Sequence, residues 1–136
     1  MDESEFTYIL ATVADETLFA ELRELCMSLP DVAEEYPWGH ATWKVRGKMF
    51  ALGDAEGPWV TVKTTFEDME ALVQDPAIVA APYLASKGWV NITFTDRETT
   101  DLALELTRIS YDLVVKKLPK GAQREIAERL QESQNE

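Results

Sequence analysis

The stretch Ala41-Thr42-Trp43-Lys44-Val45-Arg46-Gly47-Lys48-Met49-Phe50-Ala51-Leu52 decides the fold. Apolar and polar side chains alternate on both sides of Gly47-Lys48, the pattern of two strands that each bury one face. Glycine at the first central position is what a two-residue type II′ turn requires. Such a turn pairs Arg46 with Met49, Val45 with Phe50, Lys44 with Ala51 and Trp43 with Leu52. Residues directly opposite share a face of the sheet. Trp43, Val45, Phe50 and Leu52 are therefore expected to point into the core.

Reading outward, Gly53 to Pro58 is a turn cluster, and Trp59 to Thr64 is a third strand with Val60 and Val62 inward. Thr64 and Glu67 fit a capping box that opens a helix through Val73, which Asp75-Pro76 ends. Residues 76–88 read as irregular or weakly helical, with Pro82 and Gly88 as breakers. Trp89 to Phe94 is a fourth strand. A second capping box, Thr95 and Glu98, opens a helix burying Leu102, Leu106, Ile109 and Leu113 and stopped by Pro119. On the other side, Leu18, Leu22, Leu25 and Leu29 mark an amphipathic helix from an Asp15 N-cap to Pro30. Residues 1–14 read as an N-terminal arm, with Phe6, Tyr8, Ile9, Leu10 and Val13 as a helical turn or docked segment. Residues 119–136 read as a short polar helix, Ala122 to Leu130, and a fraying tail. Consecutive strands joined as hairpins predict an α+β two-layer sandwich. Its antiparallel sheet has about four or more strands, with helices packed on one face.

The chain of 136 residues has the length of a single domain, residues 1–136. Its 46% apolar and 28% charged residues are ordinary globular values, which excludes disorder throughout. No apolar run reaches the ~20 residues needed to span a bilayer. The acidic start Met1-Asp2-Glu3-Ser4-Glu5 lacks the basic region of a signal peptide. One cysteine, Cys26, allows no internal disulfide. These features predict a cytoplasmic protein with no membrane partner.

Twenty-five acids against thirteen bases leave a net charge of −12. Such a surface repels nucleic acid and anionic membranes at long range. The charge is uneven. Residues 1–40 carry ten acids and one base, Arg23, whereas residues 41–63 carry Lys44, Arg46, Lys48 and Lys63 against Asp54 and Glu56. Strand alternation puts Thr42, Lys44, Arg46, Met49, Ala51, Trp59, Thr61, Lys63, Trp89, Asn91 and Thr93 on the second face of the sheet. That set holds three bases, two tryptophans and no acid. Cations beside aromatic platforms are one way to hold an anionic or single-stranded ligand. The alternative is that the 76–88 segment or the C-terminal helix covers Trp59 and Trp89.

Chemistry-bearing motifs are sparse. His40, the single histidine, follows the loop Tyr36-Pro37-Trp38-Gly39. Cys26 lies beside an apolar helical stripe, where inert thiols are usual. Zinc spacing, phosphate-binding glycine loops, nucleophile elbows and calcium loops are absent. No catalytic constellation, metal site or cofactor is expected, and the chain is not read as an enzyme.

The stretch from Ser28 to Ala51, with its Tyr36-Pro37-Trp38-Gly39-His40 and Trp43-Lys44-Val45-Arg46-Gly47-Lys48 runs, resembles the MmcQ/YjbR family. Val60 to Lys63, Ala81 to Leu84 and Lys87 to Val90 resemble it as well, in the same order. The resemblance spans most of residues 15–115. It implies a compact α+β fold likened to the bacterial frataxin homologue, in a "double wing" arrangement. It also implies DNA as the ligand, since members are commonly labelled predicted DNA-binding proteins. Positions matching the family's motifs are Gly39, His40, Trp43, Lys44, Arg46, Gly47, Lys48, Lys63, Tyr83, Lys87, Gly88 and Trp89.

Three functional readings follow. The first is a DNA-binding module that uses the basic hairpin and sheet face, with Lys44, Arg46, Lys48, Lys63 and Lys87 on phosphates. The second is a protein- or small-anion-binding module that uses His40, Trp59, Tyr83 and Trp89. The third is weak metal binding along the acidic first helix, where Glu21 and Glu24 lie one turn apart. The sequence leaves open whether the acidic first forty residues fold back over the basic hairpin and mask it.

Overall fold

In the computed structural model, which describes residues 2–82 and 84–135, the hairpin is present but its turn lies one residue earlier than the spacing suggests. Strand β2 (Ala41–Val45) and strand β3 (Lys48–Asp54) flank Arg46-Gly47, not Gly47-Lys48. Both turn residues have positive φ, 49° and 83°, the signature of a type I′ turn. Val45 pairs with Lys48 and Lys44 with Met49, but Trp43 pairs with Ala51. Phe50 is the extra residue of a β-bulge. The bulge reverses the expected facing of two side chains. Ala51 joins Phe50 in the core, fully buried, and Leu52 turns to the opposite face as the partner of Thr42 and Thr61.

Around this hairpin the sheet has, among the described residues, six strands, all antiparallel, in the order β1-β2-β3-β4-β6-β5. The additional strands are β1 (Val32–Glu35), β4 (Trp59–Lys63), β5 (Ile78–Ala80) and β6 (Trp89–Thr93). Neither β1 nor β5 is expected from the sequence. Val32-Ala33-Glu34-Glu35 is short and half acidic, and β5 has three residues in a stretch read as irregular. Both are edge strands, held by the neighbour each pairs with.

Among the described residues, four α-helices supply the second layer. Helix α1 (Glu3–Ser28) starts at an Asp2 cap, whose carboxylate accepts from the Glu5 amide, not at Asp15. The expected N-terminal arm is thus the first half of this helix, with Phe6, Tyr8, Leu10 and Val13 more than half exposed. Only Leu22 and Cys26 of α1 are fully buried. Helices α2 (Phe66–Leu72) and α3 (Arg97–Val115) are capped by Thr65 and Asp96, each one residue after the expected cap. Helix α4 (Lys120–Gln134) anchors through Ile126 and runs past the expected end at Leu130.

Helix α3 meets the sheet through Ala103, Leu106, Thr107, Ser110, Tyr111 and Val114, while Ile109 is 40% exposed. Of the expected stripe, Leu106 is buried and Leu102 packs against the core, but the buried face is turned from it toward Ala103, Thr107 and Ser110. Two small hydroxyl residues on this face are satisfied locally: Thr107 donates to the Ala103 carbonyl and Ser110 to the Phe50 carbonyl, whereas the buried Thr100 hydroxyl has no partner among the described residues. The core lies between this helix layer and one face of the sheet, with Trp43, Phe50, Val60, Val62, Val90 and Ile92 at its centre. The Tyr111 hydroxyl donates to the Pro30 carbonyl at 2.7 Å, and burial raises its pKa to about 12. Among the described residues, no helix is long and apolar enough to cross a membrane.

Candidate functional site

The face of the sheet away from the helices carries a recess of about 680 Å³. That volume falls within the range of small-molecule sites, about 300–1,000 Å³. Register places its floor: Leu52 of β3 lies opposite Thr61 of β4, which lies opposite Asn91 of β6. Asn91 donates its side-chain amide to the Thr61 hydroxyl at 3.0 Å. One wall is Val79, Ala81, Pro82 and Leu84, where the chain leaves β5 and turns back toward β6. The Ala81 amide, bonded to the Trp89 carbonyl at 3.0 Å, fixes the start of that wall. The opposite end is Trp59 and His40. Most of these groups are apolar, and the polar ones are few and converge.

His40 is the polar group with the most defined orientation. Its Nδ1 lies 2.9 Å from an Asp54 carboxylate oxygen, and Trp59 packs edge-on against its ring at 5.3 Å between centroids. Asp54 and Trp59 are direct partners across β3 and β4, so one register sets both contacts. The Glu56 amide, followed by His40, holds the Asp54 carboxyl below the ordinary aspartate range. An ionised carboxylate only accepts, so Nδ1 carries the proton. The other ring nitrogen, Nε2, is then the atom of His40 available to a ligand. A flat ligand could pack against Trp59 and the aliphatic walls while exchanging hydrogen bonds with His40 and Asn91.

The structure distributes the sequence-predicted residues unevenly. His40 and Trp59 line the recess. Lys48, Lys63 and Trp89 lie together at the far end of the sheet, and Trp89 is only 7% exposed. Lys44 is on the open face but forms an ion pair with Glu35 of β1 at 2.7 Å. Arg46 is in the turn, not on the face. It pairs with Asp31 at 2.6 Å and with Glu125 of α4 at 2.5 Å. Lys87 is in a short 3₁₀ turn before β6 and is exposed. Tyr83 lies outside the described residues. The open face is also not free of acids, as the alternation suggested: β1 brings Glu35 and the end of β3 brings Asp54. Acids of the first forty residues do fold against the basic hairpin, through Glu35 and Asp31.

Other candidate chemistry is dispersed. Cys26 is fully buried on the helix side of the sheet, across from His40, and burial pushes its thiol pKa up. Glu21 is paired with Arg97 at 3.0 Å. Among the described residues, no three His, Cys, Asp or Glu side chains converge as a metal site. Sequence reasoning missed the His40–Asp54 pair because Asp54 read as part of a turn. It missed the recess because Leu52 was placed in the core.

A family model described as YjbR matches residues 27–113. The crystal structure of Deinococcus radiodurans protein DR2400, with a domain described as DUF419, is similar at a TM-score of 0.70 and 30% sequence identity. The similarity covers 80% of this chain and 87% of that one. No curated protein matches the sequence. The family match spans the hairpin, the recess and most of α3, and the solved structure shares the same overall arrangement. This chain belongs to the YjbR family.

Proposed function

We propose that this protein is a binding module for a small, largely planar organic molecule held in the open-face recess. The supporting observation is the oriented His40–Asp54 pair at the mouth of an apolar recess that also presents Trp59 and Asn91. Such a site would take an aromatic or heteroaromatic compound with one hydrogen-bonding edge or a single negative charge. An acid–base role for His40 would need a nucleophile or a reactive substrate brought by the ligand, since Cys26 lies across the sheet.

DNA binding, the family's implied role, draws less support. Lys44 and Arg46 are neutralised by carboxylates, and the chain carries −12 overall. A duplex would have to displace those partners and overcome long-range repulsion.

The test is a thermal-shift and tryptophan-fluorescence titration with indole, benzoate, adenosine and thymidine, beside labelled duplex DNA at low salt. Thr93 is exposed at the recess, so Thr93→Trp fills the space without disturbing the core. The expected result is that at least one ring compound binds with a Kd of about 1 mM or tighter. Binding is expected to be lost in Thr93→Trp and weakened in His40→Ala. DNA binding that falls steeply with salt and is abolished by reversing Lys48 and Lys63, with no ring compound bound, would overturn the proposal in favour of DNA.

A further inference from the structure

The bases of this protein divide by type. Of the seven lysines, only Lys44 has a carboxylate within 4 Å among the described residues, whereas five of the six arginines have one. Four of these unpaired lysines sit at the ends of elements. Lys48 begins β3, Lys63 ends β4 opposite Trp89 at the start of β6, and Lys116 and Lys117 follow the last turn of α3.

Three of these lysines line one groove. Lys48, Met49, Lys63, Trp89, Val114 and Lys117 line a groove of about 370 Å³, with three lysines and no acidic residue among them. The groove has a structural cause. The β3–β4 ladder stops at Ala51 and Val62. The next backbone groups, which would meet across it, are bridged by a buried side chain of α3. The Ser110 hydroxyl accepts from the Lys63 amide at 2.9 Å and donates to the Phe50 carbonyl at 2.6 Å. Ser110 thus spaces the two strands beyond the bulge, and the opening between Met49 and Lys63 is what the groove occupies. The buried indole of Trp89 and Val114 give it apolar walls.

We propose that this groove is an anion site for the phosphate or pyrophosphate group of a small soluble ligand, separate from the open-face recess. Three mobile ammonium groups suit a tetrahedral, multiply charged group better than a planar carboxylate, which arginine forks match. In a protein of net charge −12, unpaired lysines crowding one groove repel one another, and a bound dianion relieves that repulsion. The fixed, buried Trp89 leaves no aromatic platform for successive bases, so a compact ligand fits better than a nucleic acid strand.

The test is calorimetric titration of the full chain with inorganic pyrophosphate at low ionic strength. Lys48→Gln, Lys63→Gln and Lys117→Gln are compared with Lys44→Gln, whose ammonium is held by Glu35. Lys48 and Lys117 are exposed and Lys63 is half-buried, and an unchanged thermal midpoint checks that each variant folds. The proposal expects one site per chain and a loss of about tenfold in affinity for each groove lysine. It expects no change for Lys44→Gln and weakening by added salt. Absence of heat, or equal loss in Lys44→Gln, would overturn it. A single-stranded oligonucleotide that binds through the same lysines while pyrophosphate does not would assign the phosphates to nucleic acid, and would also overturn it. Thr93→Trp should leave pyrophosphate binding unchanged, so the two sites stand or fall separately.

Discussion

Truncating Phe50 and Leu52 should have very different consequences, and the contrast tests the bulge that builds the recess. Phe50 is fully buried and meets Tyr111 edge-on at 5.3 Å between centroids and 84° between planes. Phe50→Ala removes a whole core ring and leaves a cavity, at a cost of about 3–5 kcal/mol. Leu52 sits partly exposed at the recess floor. Leu52→Ala forfeits about half of a buried leucine's value, roughly 1 kcal/mol. Ala51→Leu forces added carbons into closed space beside Trp43 and Val62, and overpacking of this kind costs about 1–3 kcal/mol. Native domains have a total stability of roughly 5–15 kcal/mol, so differences of this size are large enough to measure. Urea unfolding with a shared m-value gives the three differences directly. The bulged register expects Phe50→Ala to be worst, Ala51→Leu intermediate and Leu52→Ala mildest or close to it. A Leu52→Ala cost equal to that of Phe50→Ala, with Ala51→Leu neutral, would restore the unbulged type II′ register and remove the recess floor.

Three further outcomes follow from the geometry. Ser110→Ala orphans both the Phe50 carbonyl and the Lys63 amide at about 1–3 kcal/mol each, so urea unfolding should show a loss of at least about 2 kcal/mol. A loss under about 0.5 kcal/mol would contradict the bridging role. Gly88 has φ 84°, and a Cβ there would lie 2.5 Å from the Thr64 carbonyl oxygen. Gly88→Ala should therefore cost more than the about 1–2 kcal/mol of left-handed strain alone, while Gly121→Ala, in open space on α4, should be neutral or stabilising. Thermal midpoints of the two variants decide this. The Asp54 carboxyl, lowered by the Glu56 amide and His40, stabilises the fold above the ordinary aspartate pKa near ~3.9 and loses that contribution as pH falls through its folded value. The stability gap between wild type and Asp54→Asn should persist at about pH 5 and narrow below about pH 4. An undiminished gap at about pH 3 would place the stabilisation elsewhere.

The strands read most clearly where alternation was long enough to reveal them. Residues 41–45, 59–63 and 89–93 appear where the pattern put them, and most open-face residues are the expected ones. The turn was ambiguous because a single glycine serves either the first position of a II′ turn or the second of an I′ turn. Only the positive φ of Arg46, rare for a side-chain-bearing residue, separates the two. A bulge adds one residue to one strand, which alternation along a single strand cannot show. The stripe on α3 finds Leu106 and Leu102 but not the buried Thr107 and Ser110, whose burial depends on which carbonyls their hydroxyls reach. The first half of α1 buries almost nothing, so it leaves no stripe to read. The pairing of Lys44 with Glu35 and of His40 with Asp54 depends on sheet register, which composition does not carry.

The most direct test of the recess as the functional site is amide and indole NMR of the labelled protein, titrated with the tightest ring compound from the panel. The account predicts that shifts centre on His40, Leu52, Trp59, Thr61, Asn91 and Thr93, and that Thr93→Trp abolishes them. Shifts centred on the exposed start of α1, or unchanged by Thr93→Trp, would contradict it.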